Sequence, residues 1–121
     1  MALVSGCGAP ASVQNEARET AVRFTTAISA GELPAACAQL TPITRTELES
    51  DEESACPDAL QAAALPSAGA PGRVDVYGQQ ARVVFGGDTL FLARTPSGWK
   101  VSAAGCQLHA GDVYDCTVKG K

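Results

Sequence analysis

The hydrophobic pattern of this chain changes its period at a breaker-rich stretch, residues 66–72 (PSAGAPG). Before this stretch, apolar residues recur at three- and four-residue steps, which is typical of amphipathic helices. After it, apolar and polar residues alternate in short runs that are separated by glycine-containing turns, which is typical of antiparallel strands. Helices followed by a run of strands predict an α+β fold, in which a helical layer packs on one face of a sheet.

The first half of the chain contains one long and several short predicted helices. An apolar stripe at helical spacing predicts a long first helix, with Ser12 as its N-cap and Gly31 as the residue that ends it. We expect Pro42 to end the next helix and Thr44–Glu47 to open another as a capping box. The shorter helices are predicted at residues 34–40, 44–53 and 57–65.

The second half of the chain is predicted to form an antiparallel meander. Tight turns separate its alternating runs, and successive tight turns connect neighbouring strands of one sheet. The four strands are predicted at residues 73–77, 80–85, 89–94 and 99–103. We expect the tail, residues 105–118, to clip against the last strand. The prediction is therefore that N-terminal helices pack on a curved four-stranded antiparallel sheet.

Five cysteines constrain the redox environment of the protein. Cys7 stands apart near the N-terminus, and the other four allow three pairings, among which spacing alone does not choose. We predict the two local pairs, because each brackets a short segment that is expected to fold back on itself. These pairs are Cys37 with Cys56 and Cys106 with Cys116. Such disulfides indicate an oxidising, extracytoplasmic compartment.

The residues around Cys7 predict how the chain is anchored. Val4-Ser5-Gly6-Cys7 places an aliphatic residue and two small residues before a cysteine, which resembles the bacterial lipobox. In that motif the cysteine receives lipid and becomes the first residue of the mature protein. We therefore predict a truncated lipoprotein signal at residues 1–7, a tether at 8–11 and a single α+β domain at 12–118, with lipidation at Cys7.

Charge and composition bear on the partners of the chain. The net charge is −4 and the nine basic residues are scattered, whereas nucleic-acid binding needs clustered Lys and Arg. No apolar stretch reaches the roughly 20 residues of a membrane-spanning helix. We therefore expect no nucleic-acid partner, and we expect the lipid anchor to provide the contact with the membrane.

Several short motifs follow the lipobox, in the order AISAGE, ACAQLTP, PDAL, DTLFL, GWKV, AAGC and YDC. Together they resemble small actinobacterial lipoproteins of uncharacterised function, over about residues 7–118. The order of elements is also similar to the NTF2-like (cystatin-like) superfamily, in which a bent sheet wraps a helix into a cone that often contains a pocket. That superfamily includes polyketide cyclases and isomerases as well as non-catalytic modules, so the resemblance implies a fold and not an activity.

No catalytic or metal-binding residue is predicted. His109 lies in a predicted loop, Asp75 alternates with apolar strand residues, and Asp88 follows two glycines at a turn, where Asp commonly bonds its own backbone. The acidic run Glu47–Glu53 lacks the alternating ligands and central glycine of a calcium loop, so we expect a solvated helix face. A zinc site is not predicted either, since C-x-x-C spacing is absent and the chain has one histidine.

Three aromatic residues are the candidates for lining a pocket or filling the core, namely Phe24, Phe85 and Trp99. We predict a membrane-anchored lipoprotein of the cell envelope that binds a small ligand or an envelope protein, without a cofactor and without catalysis. The alternative is a small NTF2-like enzyme of the cyclase or isomerase type. A concave cavity that holds a buried ionisable group with a partner would favour the enzyme.

Overall fold

The computed structural model describes residues 9–109, 111 and 113–120, so the predicted lipidation site Cys7 lies outside the described residues. The helices are α1 (Ala11–Ala30), α2 (Leu33–Ala38), α3 (Pro42–Glu52) and α4 (Cys56–Ala63). The strands are β1 (Pro71–Tyr77), β2 (Gln80–Phe85), β3 (Thr89–Thr95), β4 (Gly98–His109) and β5 (Val113–Lys119). Neighbouring strands pair antiparallel in the order β1-β2-β3-β4-β5. The predicted α+β class and the meander are confirmed.

Over the described residues the sheet has five strands, so the prediction of four was wrong. The last predicted strand continues through Gly105 to His109, and the expected tail forms β5 beside it. Gly105 has φ +67, and this left-handed residue interrupts the alternation by which a strand is recognised in sequence. Cys106 and Cys116 are directly opposed in the β4–β5 pairing, so the bridge that was expected to clip a loop joins two strands.

The helix ends differ from prediction where proline is involved. The N-cap of α1 is Pro10 and not Ser12, and it makes no side-chain capping bond. Pro42 does not end a helix but begins α3, because the missing N–H of proline costs nothing in a first turn. The hydroxyl of Thr41 accepts a 3.1 Å hydrogen bond from the Thr44 amide, so Thr41 is the N-cap that was assigned to Thr44. Gly31 ends α1 with φ +73, as predicted.

The core lies between α1 and one face of the sheet, which we call the covered face. The buried residues of α1 are mostly small, and they let the helix lie close to the strands. Alternate residues of β2 and β3 point at the helix, and the buried positions on these strands include Val83, Leu90 and Leu92. The opposite face, which we call the open face, carries the intervening residues such as Arg82 and Ala93.

The segment between α2 and α3 covers part of a strand edge. Because β5 pairs only with residues 103–109 of β4, the first half of β4 would have a free edge. Leu40 fills it by a parallel bridge to Val101. The Thr41 amide donates to the Val101 carbonyl at 2.9 Å, and the Val101 amide donates to the Gln39 carbonyl at 2.7 Å. The helical layer is thus hydrogen-bonded directly to the sheet.

Each of the two disulfides joins elements within one half of the chain. Cys37–Cys56 links α2 to α4, and Cys106–Cys116 links β4 to β5. These are the two pairs that the sequence analysis predicts, and they are compatible with an extracytoplasmic location. Among the described helices, none combines the length and the apolar character that a membrane span requires.

Candidate functional site

A cavity of about 320 Å³ lies between the second half of α1 and the segment that follows α4. We call it the Asp88 cavity. Its apolar lining residues are Phe24, Ile28, Leu65, Pro66 and Ala68. Its polar lining residues are Thr25, Ser29, Ser67 and Asp88. Asp88 is the only ionisable residue among the described residues of the lining.

Close packing of two turns brings Asp88 to this cavity. The Gly87 amide donates a 2.8 Å hydrogen bond to the carbonyl of Ala68. A side chain at residue 87 would collide with the carbonyl oxygen of Ser67, so only glycine allows the β2–β3 turn to approach so closely. The glycines before Asp88 therefore place the acid against the segment that forms one wall.

The carboxylate of Asp88 is buried and bonded to the backbone. The residue is 8% exposed. Its Oδ1 accepts hydrogen bonds from the amides of Thr89 at 2.8 Å and Cys106 at 3.0 Å. Its Oδ2 accepts one from the amide of Gly105 at 3.0 Å. The carboxylate thus anchors β4 at Gly105, its left-handed residue. The sequence analysis expected only a local turn bond, and of the three hydrogen bonds only the one from Thr89 is local.

No cation offsets the charge of Asp88 in the described part of the chain. No Lys, Arg or His there lies within ion-pair distance of its oxygens. Burial raises the pKa of Asp88 above the ordinary value of 3.8, and the three backbone amides offset only part of that rise. The site therefore holds a carboxylate whose ionised form is stabilised by dipoles alone.

The three predicted aromatic candidates are separated by the fold. Phe24, Phe85 and Trp99 are 1%, 5% and 5% exposed, so all three belong to the core. Only Phe24 lines the Asp88 cavity. Trp99 lies elsewhere, with the guanidinium of Arg94 5.6 Å from its ring centroid. All three are buried, and they do not form one site.

Asp75 belongs to a different environment, on the open face. Its carboxylate accepts from Arg82 Nη2 at 2.7 Å and from Arg73 Nε at 3.2 Å. Arg82 also donates to the hydroxyl of Tyr77 at 3.2 Å. The hydrogen bond from Arg82 lowers the pKa of Asp75, and Arg73 adds to this effect while partial burial opposes it. Asp75 is thus a structural ion-pair residue and not a solvated acid.

The remaining predicted residues are peripheral. His109 ends β4 instead of lying in a loop, and its exposed ring has Nε2 3.9 Å from Asp115 Oδ2. The acidic run lies on and just after α3, where Glu49 accepts a 3.0 Å hydrogen bond from the Cys56 amide and the last three acids are exposed. Across the described ranges, no three or more His, Cys, Asp or Glu residues are grouped so that they could hold a metal ion.

A second concavity, of about 680 Å³, crosses the open face beside the start of α3. We call it the open-face groove. Ala93 and Ala103 lie on the sheet at its base, and Pro42 and Ile43 flank it. Lys119, its one charged lining residue in the described chain, is exposed. The groove is larger than the Asp88 cavity, but it has no buried ionisable group.

Comparison with known proteins does not add to this geometry: no protein family, no curated protein and no solved structure matches the chain.

Proposed function

We propose that this protein is an extracytoplasmic, lipid-anchored module that binds a small ligand in the Asp88 cavity without transforming it. The observation that carries the proposal is a buried acid, Asp88, in the lining of a cavity that combines apolar side chains with a few hydroxyls. Small-molecule sites are typically concave and apolar, enclose about 300–1,000 Å³, and use a few convergent polar groups to orient the ligand. The Asp88 cavity has these properties, whereas the larger open-face groove has no buried ionisable group in its described lining.

Binding is favoured over catalysis because Asp88 has no titratable partner among the described residues that line the cavity. Proton-transfer catalysis commonly uses a second titratable group that takes up or returns the proton. Three backbone amides donate hydrogen bonds to Asp88, and no described side chain donates to it. The carboxylate therefore suits a fixed charge that orients a ligand.

A small NTF2-like enzyme of the cyclase or isomerase type is the second candidate. It is favoured by the raised pKa of Asp88, because buried acids with raised pKa values are found at proton-transfer sites. The two candidates differ in what happens to a bound ligand. Incubation of the protein with a cavity ligand, followed by mass spectrometry and NMR of the recovered compound, should return it unchanged; loss or isomerisation that Asp88→Asn abolishes would establish the enzyme.

The NTF2-like cone is part of the same proposal. It is supported by the helix-first order of elements, by α1 lying on one face of an antiparallel sheet, and by the cavity between α1 and the segment after α4. The register shifts within β1 and at the β3–β4 pairing also support a bent sheet, since bulges bend and twist strands.

The proposed cellular location is supported by the lipobox and by the disulfides. Protein made with a complete signal should carry a diacylglyceryl mass shift at Cys7, and Cys7→Ala should be released from the membrane fraction. Membrane retention of Cys7→Ala without the mass shift would refute lipid anchoring. The soluble variant would remain suitable for ligand experiments, since Cys7 lies outside both disulfides.

Ligand binding itself is testable with a matched pair of variants on α1. Ser29 is exposed and lines the cavity, whereas Thr26 is exposed on the same helix and does not. A screen of small apolar compounds by amide chemical shifts should give ligands that perturb Phe24 and Ala68. Ser29→Trp should remove these shifts and Thr26→Trp should retain them. Compounds that perturb only the open-face groove would contradict the assignment of the site.

A further inference from the structure

We infer that the ligand of the Asp88 cavity is a primary amine, that is, a small organic ammonium ion with a short apolar or aromatic arm. This inference rests on the proposed function and names the chemical class of the ligand. It follows from the charge of the site, from the unused hydrogen-bonding positions around it, and from the shape and character of the rest of the cavity.

The first step concerns charge. A buried carboxylate is expensive to leave without a cation, because the low effective dielectric constant of the interior strengthens every uncompensated charge. Asp88 is 8% exposed and has three amide dipoles but no cationic side chain in the described residues. A ligand cation would complete this arrangement, whereas a ligand anion would be repelled by it.

The second step concerns hydrogen bonds. A carboxylate offers about four acceptor positions. Asp88 Oδ1 accepts two N–H bonds and Oδ2 accepts one, so one position on Oδ2 remains for a donor. An ammonium group carries three donors, and the remaining two need acceptors nearby. Thr25, Ser29 and Ser67 line the same cavity, and each carries a hydroxyl oxygen of the kind that these donors need. Thr25 already donates its proton to the Val22 carbonyl at 3.2 Å, which leaves its oxygen as an acceptor.

The third step concerns the rest of the ligand. The other lining residues are apolar, with Phe24 at the core side and Leu65 beside Gly105. An apolar or aromatic arm would be removed from water there, at about 25 cal/mol for each Å² buried. A volume of about 320 Å³ accommodates a single short arm. A metal ion fits less well, because a lone carboxylate does not supply the several charged or carbonyl oxygens that a bound cation requires.

The experiment compares three probes of matched size by isothermal titration calorimetry: phenethylamine, phenethyl alcohol and phenylpropionate. With the disulfide-bonded protein at neutral pH, we expect phenethylamine to bind about tenfold or more tightly than phenethyl alcohol, because the amine makes a charge-assisted hydrogen bond. Phenylpropionate should bind more weakly than the alcohol. This order is measured on the unaltered chain, so it does not depend on whether a variant folds.

Variants then assign the effect to the site. Ser29→Trp should abolish binding of the amine and Thr26→Trp should leave it unchanged. Asp88→Asn, which retains an acceptor oxygen but removes the charge, should bring the affinities for amine and alcohol together. Equal affinities of the unaltered protein for both probes, still blocked by Ser29→Trp, would overturn the amine class and leave the cavity as a ligand site. Absence of binding by all three probes, or binding that Ser29→Trp does not affect, would overturn the amine inference; the compound screen then decides the proposed function separately.

Discussion

Asp75 on the open face and Asp88 beside the covered face are both strand-associated aspartates, but their carboxylates have opposite surroundings. The Asp75 side chain is 20% exposed and is held by two arginines, the exposed Arg73 and the partly buried Arg82 of the neighbouring strand. Asp88 is held by three backbone amides and meets no cation in the described residues. The first arrangement can be lost without moving the sheet. The second cannot, because the groups that bond to the carboxylate are backbone amides of β3 and β4.

The largest expected difference between the two acids is in folding stability. Asp88→Ala would leave three amides without their acceptor, two of them on β4, and should lower the free energy of unfolding by about 3 kcal/mol. Asp75→Ala should cost less than about 1 kcal/mol, because partly exposed ion pairs contribute little. Urea unfolding of the two variants measures both. Equal losses would remove the distinction between the two sites.

The disulfide between β4 and β5 should be energetically coupled to Asp88 and not to Asp75. Cys106 provides both a disulfide sulfur and one of the backbone amides that donate hydrogen bonds to Asp88. Replacing Cys106 and Cys116 by Ala should cost about 2–3 kcal/mol. Combined with Asp88→Ala, the total loss should fall short of the sum by about 1 kcal/mol, since both changes loosen the same bend. Combined with Asp75→Ala, the losses should add, and a double-mutant cycle that found coupling there instead would contradict this view.

Gly105 offers a smaller test of how tightly the Asp88 site is packed. A Cβ at Gly105 would lie 2.8 Å from Leu65 Cδ2. An alanine there would also have to adopt the left-handed φ of +67, which alanine disfavours. Gly105→Ala should therefore cost about 2 kcal/mol. The matched control is Gly78→Ala in the β1–β2 turn, which has φ +59 but open space around its Cβ, and it should cost about 1 kcal/mol. A thermal unfolding comparison that found Gly78→Ala the more destabilising would exclude close packing at the bend.

The smallest expected effect is on the pH dependence of stability, and the two acids should act in opposite directions. The pKa of Asp88 is raised in the folded protein, so its contribution is fully present below 3.8 and is lost as pH rises through the folded pKa. The pKa of Asp75 is lowered, so its contribution is present above 3.8 and is lost as pH falls through the folded pKa. The free energy of unfolding is measured against pH on both sides of pH 3.8. Relative to the unaltered protein, the slope of this curve should change above pH 3.8 in Asp88→Asn and below pH 3.8 in Asp75→Asn. The same slope change in both variants would contradict the assigned shifts.

Features that depend on neighbouring residues could be predicted from the sequence. Gly31 ends α1 because a left-handed residue is needed there, and the turn at Gly78 is set by the residues that form it. The two disulfides join segments only 19 and 10 residues apart, so local bracketing was sufficient to choose them. In each case the partners lie within one short stretch of the sequence.

Features that depend on sheet register could not be predicted. The partners of Asp88 at Gly105 and Cys106 are 17 and 18 residues away, and nothing near Asp88 in the sequence identifies them. The sequence shows an acid after two glycines, which indicates a turn. The fifth strand was missed for a related reason, because Gly105 breaks the alternation and the pairing partner of the tail is specified only once β4 is known to continue.

The parallel bridge between Leu40 and Val101 should link oxidation of the chain to its solubility during folding. The bridge residue follows Cys37 by three positions, and Cys37–Cys56 fixes α2 against α4. Until that disulfide forms, the segment that covers the first half of β4 is held only by its own contacts, and an uncovered strand edge can pair with another chain. Light scattering during refolding should therefore rise when reductant is present, and it should rise more in a chain lacking Cys37 and Cys56 than in one lacking Cys106 and Cys116. Oxidative maturation would then act as protection against self-association, in addition to stabilising the finished fold.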